Sequence, residues 1–270
     1  MYRKDTNRMI NNGEKDVIVM DKKILILSMG VILMVLLCSC SSSATGPVET
    51  NDTVFFSGYE WTVKHFDGEI GPGPNYFSNS RDNVWTDAGG RLHLKITKRD
   101  DKWYCAEIVL KKSLGYGTYR FTLSSPVDQL DKNAVLGLFV YDLNAADIHH
   151  REIDVEFSRW GYENGLNTQY VIQPWDKAEN REQFNTQLTD VMSTHEFIWS
   201  ENEVSFSSYN GKNSDQGEAI HNWSYNGSDN PVPGDENVRI NLWLFRFDEN
   251  FAYSGPEIEI IVDSFEFLPQ

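Results

Sequence analysis

From Val54 onward the chain alternates apolar and polar residues in short runs, each closed by turn-forming residues. Residues 91–97 read Arg-Leu-His-Leu-Lys-Ile-Thr, and residues 117–123 read Gly-Thr-Tyr-Arg-Phe-Thr-Leu. A period of two with β-branched and aromatic residues predicts strands, because successive strand side chains point to opposite faces. The same pattern predicts strands over 134–141, 152–157, 168–172, 195–199, 204–208, 238–244 and 257–267. Asp87-Ala88-Gly89-Gly90 and Tyr209-Asn210-Gly211 supply turn chemistry between runs. Residues 176–189 read as a polar loop with a short helical turn, and 212–233 as a long loop or ragged hairpin. No long stretch of helical period follows residue 40, and neither a repeat nor a linker divides the remainder. About 215 residues in many short strands predict one all-β domain, a β-sandwich of jelly-roll type.

The N-terminal segment has a different pattern. Lys22 and Lys23 precede an apolar run, Ile24 to Leu37, too short to span a bilayer comfortably but the length of a signal-peptide core. It ends Leu37-Cys38-Ser39-Cys40 and continues into three serines. This resembles a bacterial lipoprotein signal, and the resemblance implies lipidation at Cys40, with Leu37 and Ser39 at the matching positions. Cys38 fits less well, because Leu37 would stand where a small residue is wanted. An uncleaved anchor helix is the alternative. Met20 opens a compact signal by itself, so residues 1–19 read as an upstream start or a long charged leader. The chain then divides into a signal segment (1–40), a flexible tether (41–53) and the sandwich domain (54–270). The implied location is the bacterial cell envelope, lipid-anchored to the outer membrane or at the cell surface.

Composition narrows the function. Hydrophobic residues make up 40% and aromatics 13%, enough for a sizeable core. Lys and Arg number 24 against 40 Asp and Glu, a formal charge of −16. Such a chain lacks the basic footprint that phosphate backbones or anionic lipids require. Beyond Cys40 only Cys105 remains, which excludes a disulfide scaffold and a thiolate zinc site. Cys105 reads as a small buried hydrophobe. An acidic chain with 8 Trp, 12 Tyr and 15 Phe suits a neutral ring-shaped ligand such as a sugar.

The sharpest feature is Glu152-Ile153-Asp154-Val155-Glu156-Phe157. In a strand the apolar members face one side and the acids the other. Composition alone gives three acids at alternate positions about once in such a chain, but this order with strand formers between is several-fold rarer. A merely solvated face usually brings Lys or Thr into the row to relieve repulsion, and none is present. Two carboxylates flanking a glycosidic bond are the apparatus of glycoside hydrolysis. Positions i and i+4 of a flat strand lie about 13 Å apart, whereas a retaining pair needs roughly 5–5.5 Å. The chemistry therefore demands a curved sheet with the acids inside a concave groove. Crowding raises one carboxyl's proton affinity and keeps it neutral as an acid. Spacing does not say which glutamate attacks.

This block resembles the Glu-x-Asp-x-Glu signature of family 16 glycoside hydrolases, the β-glucanase family with a concanavalin A-like jelly roll. The resemblance implies Glu152 as nucleophile, Asp154 as its helper and Glu156 as acid/base, with a β-glucan as the substrate class. It extends to residues 114–121, to Cys105-Ala106-Glu107, to Phe197-Ile198-Trp199 and to Asn241-Leu242-Trp243, in family order over residues 54–270. It departs where lichenases carry an Arg two residues after the glutamate matching Glu107, since Val109 stands here. It departs again at His150 and Arg151 in place of Trp-Asp, and at Val171, two residues after Gln169, in place of a sugar-binding Asn. The resemblance thus carries the catalytic centre but not lichenan specificity.

Candidate substrate-binding residues are Trp243, Phe139, Tyr141, Trp160, Glu107 and Gln169. Trp175 and Trp223 are placed in loops at the cleft rim, and His149, His150 and Arg151 stand where they can temper the acids' charge. No cofactor is required. Many family members hold one structural calcium, for which Asp263 is the matching residue. The partners expected are a polysaccharide and, through Cys40, a membrane, with no nucleic acid. A transglycosylase and a non-catalytic glycan-binding lipoprotein on the same fold are the rival readings.

Overall fold

The computed structural model describes residues 50–212, 219–246 and 251–270. The signal segment with Cys40, and tether residues 41–49, lie outside the described residues. The tether ends earlier than its composition predicts. The Asn51 amide donates to the Asn79 carbonyl at 2.7 Å, Thr50 bridges Ser80, and the first strand begins at Thr53. Small polar residues here join a sheet edge because backbone pairing needs no apolar side chain.

Among the described residues seventeen strands, β1 to β17 in chain order, form two layers. Hydrogen-bond register orders the front layer β1 (Thr53–Phe56), β2 (Tyr59–Val63), β7 (Lys102–Leu110), β16 (Asn237–Leu244), β9 (Ala134–Tyr141), β10 (Ile153–Phe157), β11 (Thr168–Ile172), β12 (Arg181–Phe184). The back layer runs β15 (Ala219–Tyr225), β14 (Val204–Asn210), β13 (Ser193–Trp199), β8 (Gly117–Leu123), β17 (Ile258–Pro269), β6 (Leu92–Arg99), β5 (Val84–Thr86). All these pairs are antiparallel. The β6–β7 hairpin passes from one layer to the other. Short β3 (Glu69–Ile70) and β4 (Asn75–Phe77) lie beside β7, with β4 parallel to it. This is the all-β jelly-roll sandwich the alternation predicts.

Aromatic residues from both layers fill the space between them. Trp61, Phe157 and Tyr170 of the front meet Tyr119, Phe197, Trp199 and Phe206 of the back, all essentially without exposure. On β10 the apolar members Ile153, Val155 and Phe157 are 0% exposed. Each stabilises the fold by about 2 kcal/mol of burial. A one-residue slip would exchange them for the acids, so this packing holds the carboxylates on the outer face. Cys105 is also buried in the core, and burial pushes its thiol up to about 12, leaving it inert.

Two ambiguous segments resolve into strands. Within 176–189 the chain makes the 3-10 turn Ala178–Asn180 and then β12. Within 212–233, residues 219–225 form β15, which pairs with β14. Trp223 lies on β15 against Phe206, ring centroids 5.4 Å apart, and so belongs to the back layer rather than a cleft rim. Among the described residues no helix is long and apolar enough to cross a membrane.

Candidate active site

The outer face of the front sheet carries a cleft of about 910 Å³, lined by β2, β7, β9, β10 and β16. Register sets its floor in cross-strand rows. One row runs Gln183, Gln169, Glu156, Gly137, Asn241, Glu107 across β12, β11, β10, β9, β16 and β7. The next runs Arg181, Val171, Asp154, Phe139, Arg239, Val109 across the same strands. Glu152 precedes β10 and lines the cleft beside Asp154 and Glu156. Alternation thus brings the three predicted acids to one open surface.

Their electrostatics differ by neighbour. Burial pushes Glu152 up to about 8, with Coulomb repulsion from Glu156 adding to it. Asp154 is raised well above the ordinary aspartate range, first by burial and then by the charges of Glu152 and Glu156. A hydrogen bond links Asp154 and Glu152, lowering the glutamate and raising the aspartate. When Glu152 ionises, that bond favours the proton on Asp154. The Gln173 side-chain amide donates to Asp154 Oδ2 at 3.2 Å. Glu156 is raised by burial to about 7, against the opposing pull of Gln169 and Arg181. Gln169 donates to Glu156 Oε2 at 2.7 Å, and Gln183 donates to Gln169 Oε1 at 3.0 Å, which fixes the amide's orientation. Gln169→Leu should remove a bond that favours the charged Glu156. The alkaline limb of a pH–rate profile is then expected to move to higher pH, and a downward move would contradict this role.

Gly137 lies between Glu156 and Asn241, and its amide donates to Asn241 Oδ1 at 3.1 Å. A Cβ here would meet that oxygen at 2.6 Å. Gly137→Val should displace Asn241 and roof over the floor next to Glu156. Weaker glycan binding by titration calorimetry is the expected outcome, with the fold retained by circular dichroism.

Most sequence-predicted groups line the cleft. Trp243, Phe139 and Tyr141 face it, although Trp243 and Phe139 are only 9% and 8% exposed. Trp160 and Gln169 line its continuation, about 870 Å³, together with Trp175, Trp243 and Glu156. Glu107 is 1% exposed and held by two cations that sequence reasoning missed. Its carboxylate accepts from Lys64 at 2.7 Å and from Arg239 at 3.0 Å. Arg239 is the register partner of Val109, so this guanidinium reaches Glu107 from the strand next to β7. It also stacks on Tyr141 at 4.7 Å and lowers the Glu152 carboxyl. The available clue was its alternation with Asn241 and Trp243 on one strand.

Arg151 does not temper the acids as its position predicts. It donates to Asp142 Oδ2 at 3.1 Å and to the Val232 carbonyl, and Arg239 supplies the positive charge beside Glu152 instead. The reason is backbone. His149, His150 and Arg151 all have left-handed φ (51°, 59° and 55°), and this turn delivers the chain to Glu152. Non-glycine residues pay roughly 1 kcal/mol each for that conformation. His150 repays part of it, donating from Nδ1 to the Asp142 carbonyl at 2.8 Å and stacking on Tyr141. Asp263, the calcium candidate, accepts from Lys212 through Oδ2 at 2.9 Å. Among the described residues no three His, Cys, Asp or Glu side chains are grouped to hold a metal.

Comparison with solved structures places the fold. The β-glucanase of Bacillus licheniformis superposes with TM-score 0.58 at 17% identity, over 84% of this chain and 100% of that one. The fold is the β-glucanase jelly roll. A β-1,3-glucanase from Mycobacterium marinum matches with TM-score 0.58 at 18% identity, over 83% of this chain and 100% of its own. An immunostimulatory antigen and pseudo β-1,3-glucanase of Mycobacterium tuberculosis matches with TM-score 0.55 at 17% identity, over 78% and 91%. No protein-family model matches the chain, and no curated protein does. At these identities the likeness establishes the fold, and the site must argue its own chemistry.

Proposed function

We propose that this protein is a retaining glycoside hydrolase acting on a β-linked polysaccharide of the β-glucan class. The observation that carries the reading is Glu152, Asp154 and Glu156 lining one cleft on the outer face of the front sheet. Ionised Glu152 attacks the anomeric carbon while Glu156 gives its proton to the departing glycosidic oxygen. Glu156 then takes a proton from water, whose oxygen displaces Glu152 and restores the original anomeric configuration. The cleft continues past Glu156 on the Trp160 side, so a chain can lie through both halves and be cut internally. The lipoprotein-like segment ending at Cys40 supports an envelope-anchored enzyme facing polymeric substrate. No resident cofactor enters this chemistry.

A reducing-sugar assay on a polysaccharide panel tests the reading. Turnover of a β-linked glycan, lost in both Glu152→Ala and Glu156→Ala, is expected. Binding without turnover would instead make the protein a glycan-binding module. Adding an acceptor sugar separates hydrolysis from transfer, since transfer yields longer products.

A further inference from the structure

The two halves of the cleft differ in charge chemistry. Glu152 lines only the half with Arg239 and Glu107, while Glu156 lines both. If Glu152 attacks and Glu156 protonates the leaving oxygen, the half beyond Glu156 receives the leaving-group sugars. Arg181 lies in that half, on the row that contains Asp154 and Val171. The neighbouring Glu182 points the other way, to His221. Among the described residues the Arg181 guanidinium makes no hydrogen bond or ion pair; it lies over the Trp175 ring at 5.6 Å, and its charge acts on Glu156. Trp175 is 58% exposed and presents an open ring to the cleft. Its position is set from the catalytic row. The Trp175 amide donates to Gln173 Oε1 at 3.0 Å, and the same Gln173 side chain donates to Asp154.

A guanidinium held by an aromatic face, with its N–H fork unused, is a built receptor for a planar or tetrahedral oxyanion. We propose that Arg181 and Trp175 form a leaving-group subsite for a sugar bearing an anionic substituent, a carboxylate or a sulfate ester, with the ring stacking on Trp175. The inference rests on the hydrolase reading for its direction but on Arg181 for its chemistry. The overall charge of −16 opposes an anionic polymer at long range. At physiological salt that field is screened beyond about 8 Å, whereas a contact ion pair is not.

Calorimetric titration tests this without needing turnover. The probes are a neutral β-glucan tetrasaccharide and its 6-carboxylated and 6-sulfated analogues, each at 0.15 M salt. Wild type is expected to bind at least one anionic analogue about tenfold more tightly than the neutral one. Arg181→Gln should erase that ratio, and Arg181→Lys, which keeps charge without the fork, should retain part of it. Whichever anion gains affinity names the substituent. A wild-type ratio at or below one for both anions overturns the proposal, as does a ratio that Arg181→Gln leaves unchanged. Failure of the hydrolase reading appears separately, as binding of any probe with no cleavage of any polysaccharide. Should Arg181→Gln fold poorly, Arg181→Met gives the same test, since it removes the charge and keeps an apolar stem against Trp175.

Discussion

Glu152→Ala should lose at least about 10³-fold in turnover and regain part of it with azide, which enters where the carboxylate attacked. The product then carries azide in the configuration opposite to the substrate's β-bond, because only one displacement has occurred. Glu156→Ala should lose as much on polysaccharide, yet still react with an aryl glycoside whose leaving group needs no proton. Azide there intercepts the glycosyl-enzyme and gives the β-azide after two displacements. Product configuration, read by nuclear magnetic resonance, checks both roles. An exchange of the two configurations would reverse the assignment of Glu152 and Glu156, and neither azide product would remove them from the chemistry.

The same carboxyls should make the site a source of instability at high pH. Glu152 and Glu156 titrate near 8 and 7 in the fold, above the ordinary 4.5. The folded state therefore holds protons that the unfolded chain releases as pH rises from 4.5. The stability these groups contribute is present in acid and lost as pH rises through 7 to 8. Glu152→Gln should raise stability at pH 8 by roughly 3 kcal/mol, about 5–10 °C in Tm, and by little at pH 4.5. His195 has the opposite sign. Burial among Ser193, Ser208 and Phe157 pulls it down to about 3, so its contribution is lost as pH falls from 6.5 towards 3. Thermal melts of wild type and variant across pH 4–9 check this. A Glu152→Gln gain as large at pH 4.5 as at pH 8 would contradict it.

How much the sequence discloses follows from which contacts are local. Gly117–Leu123, Ala134–Tyr141 and Thr168–Ile172 form strands with the bounds their alternation predicts. The outward acids of β10 follow from Ile153, Val155 and Phe157 alone. Cross-strand neighbours are different. Glu107 is tied to Arg239 and Lys64, and Gln183 to Gln169, by pairings that no single run of residues encodes. From the sequence Glu107 reads as a sugar ligand, because its two cations lie far away along the chain. The loop before Glu152 was equally hidden. Nothing in His149-His150-Arg151 announces left-handed backbone, since none is the glycine that such angles favour.

That loop sets where the molecule fails first. Three unfavourable backbone angles pinned by Asp142 act as a catch under tension, and the residue it holds in place is Glu152. Gentle warming should release the catch while the aromatic interior is still intact. Hydrolysis would then cease several degrees below the loss of tryptophan fluorescence, and glycine at 149 or 150 would ease the tension at the expense of aim.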